Sequence, residues 1–271
     1  MALLDIVDAR KTFVRDDKLV CAIDRVSLGV AVGEFVTIVG PSGCGKSTLL
    51  HIVAGFESVD SGRITFDGQT ITQPGPDRGV MFQEYSLYPW RTVLGNVLWG
   101  LEAQGIAKPR RRDVAEQYLR MVDLWEFRDH YPGELSGGMK QRVALARMLA
   151  FEPKMLLMDE PFGALDAQTR QVMQEELLRI WDKDRKTVLF VTHDIYEAIY
   201  LSDRVIVFTA RPGRIRQELS VDLPRPRVID VCKSPRFVEY RNAIWDLLRP
   251  EAAVSLGTGA SARTPLATGA S

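Results

Sequence analysis

The sequence predicts an α/β fold: parallel strands alternating with helices around a mixed β-sheet, with an antiparallel β subdomain and an inserted helical subdomain. Two patterns predict it. Short β-branched runs recur between helical stretches, which marks βαβ architecture. Several of those runs are apolar throughout rather than alternating, as strands covered on both faces are. Residues 34–40 (EFVTIVG) read as one such buried strand, and the segment opening at Lys46 (KSTLLHIVAG) as the helix after it. Residues 154–159, 187–192 and 204–209 give further buried strands. The stretch to about residue 32 and the segment 62–67 are separated by turn residues and read as antiparallel, so a mixed sheet is expected.

Between residues 84 and 149 no long β run occurs, and Trp, Pro and Gly punctuate helical stretches such as 112–123. This region reads as a helical subdomain inserted into a main domain spanning residues 1–223. A Pro/Arg linker (PRPR) and an amphipathic stretch, residues 235–248, make a C-terminal piece over 224–254. Residues 255–271 are Gly, Ala, Ser and Thr with few large apolar side chains, the composition of a disordered tail. No internal repeat is evident.

Thirty-five basic residues are balanced by thirty-five acidic ones, which argues against a general nucleic-acid binder. Cys21, Cys44 and Cys232 are widely spaced, without zinc-ligand spacing, and read as reduced thiols. The start lacks the basic and apolar regions of a secretory signal, and no apolar stretch is long enough to cross a bilayer. Any service to a membrane must therefore pass through another chain.

The chemistry begins at Gly40-Pro41-Ser42-Gly43-Cys44-Gly45-Lys46-Ser47, which matches the phosphate-binding pattern G-x-x-x-x-G-K-[ST] in full. It lies between an expected strand and an expected helix, the context in which backbone N–H groups and a helix N-terminus cradle phosphate. Lys46 would reach the β- and γ-phosphates and the Ser47 hydroxyl would ligate Mg²⁺. Cys44, at a helix N-terminus beside Lys46, is expected to have a lowered thiol pKa. The run Met155-Leu156-Leu157-Met158-Asp159-Glu160 places two acids at the carboxyl end of a buried strand, where ligands of open α/β sheets bind. Asp159 would hold Mg²⁺ through water and Glu160 would take the proton of the attacking water. A pair of capping carboxylates is the bland alternative.

Leu135-Ser136-Gly137-Gly138-Met139-Lys140-Gln141-Arg142, followed by VALARMLA, narrows the class. Here the chain resembles the ATP-binding subunits of ABC transporters, whose signature reads LSGGQ, and the resemblance runs from about residue 4 to residue 223. Gln83 (MFQE), Asp166 (ALD) and His193 (VTHD) fall in that family's order. The resemblance implies a P-loop ATPase fold, ATP and Mg²⁺ as cofactors, and ATP binding by residues 40–48, including Thr48. It implies that Ser136 and Gly138 of one protomer close on the γ-phosphate held by a second copy, and it adds Gly137 and Asp166 to the ATP-binding residues. His193 becomes the γ-phosphate switch, and Gln83 a contact to Mg²⁺ and the attacking water. Phe13 stands where relatives stack an aromatic ring on adenine; a core-facing strand residue is the alternative. Met139 replaces the usual glutamine of the signature.

Three stretches, GVMFQEYSLYPWRTVLGNV, DEPFGALDAQTR and VTHDIYEAIYLSDRVIVFTARPGRI, resemble the nitrate/sulfonate/taurine group of bacterial importers. That likeness implies transmembrane permease subunits as partners, a periplasmic or extracellular substrate-binding protein acting indirectly, and a place at the cytoplasmic face of the membrane. The cluster Tyr85, Leu87, Tyr88, Pro89 and Trp90 reads either as a helical-subdomain core or as the groove for a permease helix. An exporter subunit, a soluble ABC ATPase and a non-hydrolysing regulatory module are the rival functions. Intact Lys46, Glu160 and His193 weigh against the last.

Overall fold

The computed structural model describes residues 2–255, with side chains to Arg249. The tail expected from residue 255 therefore falls, past that residue, outside the described residues. Two sheets organise the chain. β1 (Ala2–Arg15), β2 (Lys18–Ala31), β4 (Ser61–Phe66) and β5 (Gln69–Thr70) form an antiparallel sheet in the order β2-β1-β4-β5. β3 (Phe35–Val39), β6 (Arg78–Met81), β7 (Met155–Asp159), β8 (Thr187–Thr192), β9 (Arg204–Phe208) and β10 (Ile215–Ser220) form the second, in the order β10-β9-β3-β8-β7-β6. Five of those strands are parallel and β10 runs antiparallel at the edge. The mixed character thus comes from β10, not from the N-terminal strands, which make a sheet of their own.

Strand periodicity sorts the side chains of the central sheet onto two cores. Phe35, Val39, Leu156 and Met158 face one cluster, and Val36, Ile38, Met155 and Leu157 face the other. The second core is closed by α1 (Lys46–Ala54) and the antiparallel sheet. The first is closed by α2 (Val93–Ala103), α3 (Lys108–Met121), α4 (Gly137–Leu149), α5 (Ala167–Asp184), α6 (Ile195–Leu201) and α7 (Pro235–Ser255). Both faces being covered is why β3, β7 and β8 are buried along their whole length.

Helices α2, α3 and α4 pack on one another and continue the first core into the region 93–149. The loop before α2 is tied down by Asn96, which is fully buried. Its Oδ1 accepts from Tyr88 N at 2.8 Å, and its Nδ2 donates to the carbonyls of Tyr88, Arg91 and Thr92. Arg147 of α4 adds donors to Ser86 O and Tyr85 O at 2.7 and 3.0 Å. At about 1 kcal/mol per bond these ties offset part of the entropy cost of ordering a loop without regular structure.

Candidate functional site

The parallel register places the chemistry before any side chain is considered. β3, β7 and β8 are neighbours, with Val39 opposite Thr192 and Asp159 opposite Val191. The chain leaving each strand therefore emerges at one sheet edge: residues 40–47 from β3, Glu160 from β7 and His193 from β8. The first two of these strand ends line a cavity of about 690 Å³ together with Phe13, Val14, Val20, Ala22 and Gln83, whereas His193 lines an adjoining cavity with Gly40 and Pro41. Ser42, Gly43, Gly45, Lys46, Ser47 and Thr48 of the P-loop segment line the first cavity as well.

The P-loop is held by backbone contact. Gly45 caps α1 with φ 103°, and a Cβ there would sit 2.5 Å from Ala22 O, so only glycine fits against β2. Lys46 Nζ donates to Gly40 O and Pro41 O at 2.9 and 3.0 Å, which arches its aliphatic stem over the loop. Ser47 Oγ donates to Asp159 Oδ1 at 2.9 Å. Burial raises the Asp159 carboxyl above its ordinary range, against the opposing effect of the Ser47 bond.

Glu160 lies just past β7 with φ 45°, a left-handed conformation that costs an L residue about 1–2 kcal/mol. Two bonds hold it there: Glu160 N donates to Val191 O at 2.9 Å and Gly163 N donates to Glu160 O at 3.0 Å. The turn sends the carboxylate to His193, whose Nδ1 is 2.9 Å from Glu160 Oε2. A hydrogen bond to an ionised carboxylate would need the proton on Nδ1, which would leave Nε2 as the ring's acceptor.

Cys44 departs from expectation. It is 1% exposed, and burial pushes its thiol pKa up. The charge of Lys46, with Nζ 4.0 Å from Sγ, opposes the rise without cancelling it. The lowered pKa inferred from the helix N-terminus and the neighbouring lysine is thus corrected.

Ser136, Gly137, Gly138 and Asp166 do not line this cavity. They gather elsewhere, at the N-termini of α4 and α5. Ser136 caps α4, accepting from Met139 N at 3.3 Å, and Asp166 caps α5, accepting from Gln168 N and Thr169 N at 3.1 Å. The two caps adjoin: a Cβ on Gly138 would lie 2.8 Å from Thr169 Cγ2. One chain therefore presents two separate sets of helix N-termini, that of α1 at the cavity and those of α4 and α5 away from it. Of the aromatic cluster, Tyr85 and Leu87 pack on the first core, while Trp90 is 72% exposed.

Two residues at the site belong to no motif in the sequence. Arg211, on the loop after β9, lines the cavity. Glu197, on α6, is 4% exposed and accepts from Thr192 Oγ1 at 2.5 Å and from Gln174 Nε2 at 3.1 Å, directly behind His193. An acid at helical spacing after VTHD looks like an ordinary surface residue.

Comparison with known proteins agrees with this geometry. Residues 23–163 match the ABC transporter family. A nitrate import ATP-binding protein of Synechocystis sp. is 48% identical over 252 residues, spanning 91% of this chain and 95% of its own. A taurine import ATP-binding protein of Rhizobium johnstonii is 48% identical over 239 residues, spanning 86% of this chain and 91% of its own. Among solved structures, a dimeric ATP-binding cassette in a post-hydrolysis state, bound to ADP and Pi, is similar with a TM-score of 0.72. It is 33% identical, and the match covers 82% of this chain and 100% of that one.

Proposed function

The chain belongs to the ABC transporter ATP-binding family, and from that premise we propose that it powers an importer of a small anionic or zwitterionic nutrient. It binds and hydrolyses ATP. The observation that carries the mechanism is the Glu160–His193 pair, 2.9 Å apart, in which Glu160 lines the cavity walled by the P-loop and His193 the adjoining one beside Gly40 and Pro41. Glu160 takes the proton from water attacking the γ-phosphate, Gln83 orients that water, and His193 faces the phosphate through Nε2. Phe13, which lines the cavity together with Val14 and Val20, offers a face for adenine.

The oxygens of Ser47 and Asp159, with the Gln83 amide, are the hard donors that Mg²⁺ takes, and they would hold it to neutralise phosphate charge. Among the described residues no group of three His, Cys, Asp or Glu side chains could hold a metal. Such an ion would therefore draw its other ligands from phosphate and water.

Ser136, Gly138 and Asp166 lie away from the cavity of their own chain, which supports a head-to-tail pair in which each copy completes the other's site. Likeness to a dimeric cassette supports the same arrangement. Among the described residues no helix is long and apolar enough to cross a membrane, so docking on permease subunits at the cytoplasmic face is the proposed route to the bilayer. The exposed Trp90 loop is the proposed contact. The nitrate and taurine relatives support the substrate class, which a binding protein would deliver.

The test is co-purification of the tagged chain from its own membranes, followed by a ligand screen of the binding protein that accompanies the permease. Nitrate, sulfonates or taurine among the ligands would support the proposal. A permease that purifies and transports without any binding protein, and moves substrate outward, would refute it.

A further inference from the structure

The second inference rests on the reading of the cavity as a nucleotide site and adds a residue to it. The segment 209–214, which joins β9 to β10, is fastened to β2 and lies against the P-loop. Gly213 N donates to Ala22 O at 2.9 Å, and Asp24 N donates to Gly213 O at 3.0 Å. Thr209 Oγ1 donates to Pro212 O at 2.9 Å, and the Arg214 guanidinium is paired with Asp24. A Cβ on Gly213 would come within 2.2 Å of Cys44 O, so this segment lies backbone against backbone on the phosphate loop.

That scaffold fixes Arg211. Its Nε and Nη2 donate to Gly43 O at 3.1 and 3.0 Å, and its side chain forms part of the cavity wall with Ser42, Gly43, Gly45 and Lys46. A guanidinium has five N–H donors, so two are spent on the loop carbonyl and three remain. Among the described residues no carboxylate pairs with Arg211, in contrast to Arg214 on the same loop. The charge is thus held in one orientation, un-neutralised, beside the amides that would cradle phosphate. Serving only as a strut to Gly43 O would need a donor but no charge.

We propose that Arg211 is a nucleotide-binding residue whose guanidinium binds the polyphosphate chain, a second fixed cation besides Lys46. The charge makes two predictions a strut would not. Neutral side chains that keep the donor must fail, and the loss must follow the phosphates rather than the nucleoside.

The experiment compares the full chain with Arg211→Lys, Arg211→Gln and Arg211→Ala. A fluorescent ATP analogue is titrated directly, and inorganic tripolyphosphate competes it off. Expected is a loss of about tenfold in affinity for both ATP and tripolyphosphate in the Gln and Ala variants, the scale of a charge-assisted contact at a partly exposed site. Arg211→Lys should keep most of the affinity. The difference from the unaltered chain should shrink as salt rises from about 50 mM to about 500 mM, as it must for a screened charge. Gln binding like Arg while Ala is weak would overturn the proposal and leave a strut. A loss seen with ATP but not with tripolyphosphate would overturn it in favour of a nucleoside contact. Lys46→Ala is the control: if it binds as tightly as the unaltered chain, the nucleotide-site reading itself falls, and Arg211's role with it.

Discussion

Replacing Glu160 with Gln isolates one step of the proposed mechanism. Gln keeps the Cβ, so the left-handed backbone at φ 45° is under the same constraint and the same two backbone bonds hold it. Its Oε1 can still accept from His193 Nδ1, where Glu160 Oε2 now sits at 2.9 Å. Fold stability should therefore change by no more than about 1 kcal/mol. What is lost is the capacity to accept a proton. A positioned base is worth roughly 10²–10⁴ in rate, or about 3–5 kcal/mol of barrier, and hydrolysis in single-turnover phosphate release should slow by that factor. ATP binding should persist, because Lys46, Ser47 and Asp159 are untouched. Removing a negative charge next to the γ-phosphate also favours the ATP-bound pair, so the variant should elute as an ATP-dependent dimer on size exclusion. Adding Ser136→Arg, which puts a bulky cation at the cap of α4, should abolish that dimer while leaving the cavity of the same chain intact. Hydrolysis by Glu160→Gln at the unaltered rate would refute the base assignment. Tight ATP binding without dimerisation would refute the two-copy site instead.

Other expectations follow from particular side chains. Burial raises the Glu197 carboxyl to about 6 from an unfolded value of 4.5. The native state then binds more protons than the unfolded chain between those values, so this group adds stability as pH falls from about 7 to about 4.5 and withdraws it as pH rises through 6. Glu197→Gln should remove about 2 kcal/mol of that pH dependence in urea melts, and unchanged curves would contradict the assigned burial. Trp90, 72% exposed, should be replaceable by Ala with little change in the stability or ATPase activity of the isolated subunit, while assembly with the permease weakens. An unfolded Trp90→Ala protein would make the residue a structural one. Maleimide should label the half-buried Cys21 and Cys232 well before Cys44. Inactivation that disappears in Cys44→Ala would show that the P-loop thiol is reached after all.

The parts of the site that could be read from the sequence are those whose neighbours in space are also neighbours in sequence. A strand, a turn and a helix N-terminus in succession suffice to place residues 40–47, because the nest is made by the loop's own amides. Likewise a strand ending in Asp159 and Glu160, and another ending before His193, need only parallel pairing to bring the acid and the imidazole together. Cys44 fails that test. The helix dipole and Lys46 are local and argue for a thiolate, but the thiol's burial is set by packing against distant segments, including Gly213 at its carbonyl and Phe208 across Gly40. Desolvation therefore enters through contacts that no window around residue 44 contains. Arg211 and Glu197 escaped for the same reason, since one acts on Gly43 from 168 residues away and the other needs Gln174 on a different helix. β10 carries no such signal because it is a mostly exposed edge strand, without the continuous apolar run of β3, β7 and β8. Chemistry carried by backbone amides is thus encoded locally, whereas the charge states of the side chains around them are set by tertiary packing. The substitutions most able to tell these apart are the charge-neutral ones: Glu160→Gln and Glu197→Gln leave shape in place and change only what the fold does to a proton, and Arg211→Gln removes a charge while keeping an N–H donor, with Arg211→Lys as the partner that keeps the charge.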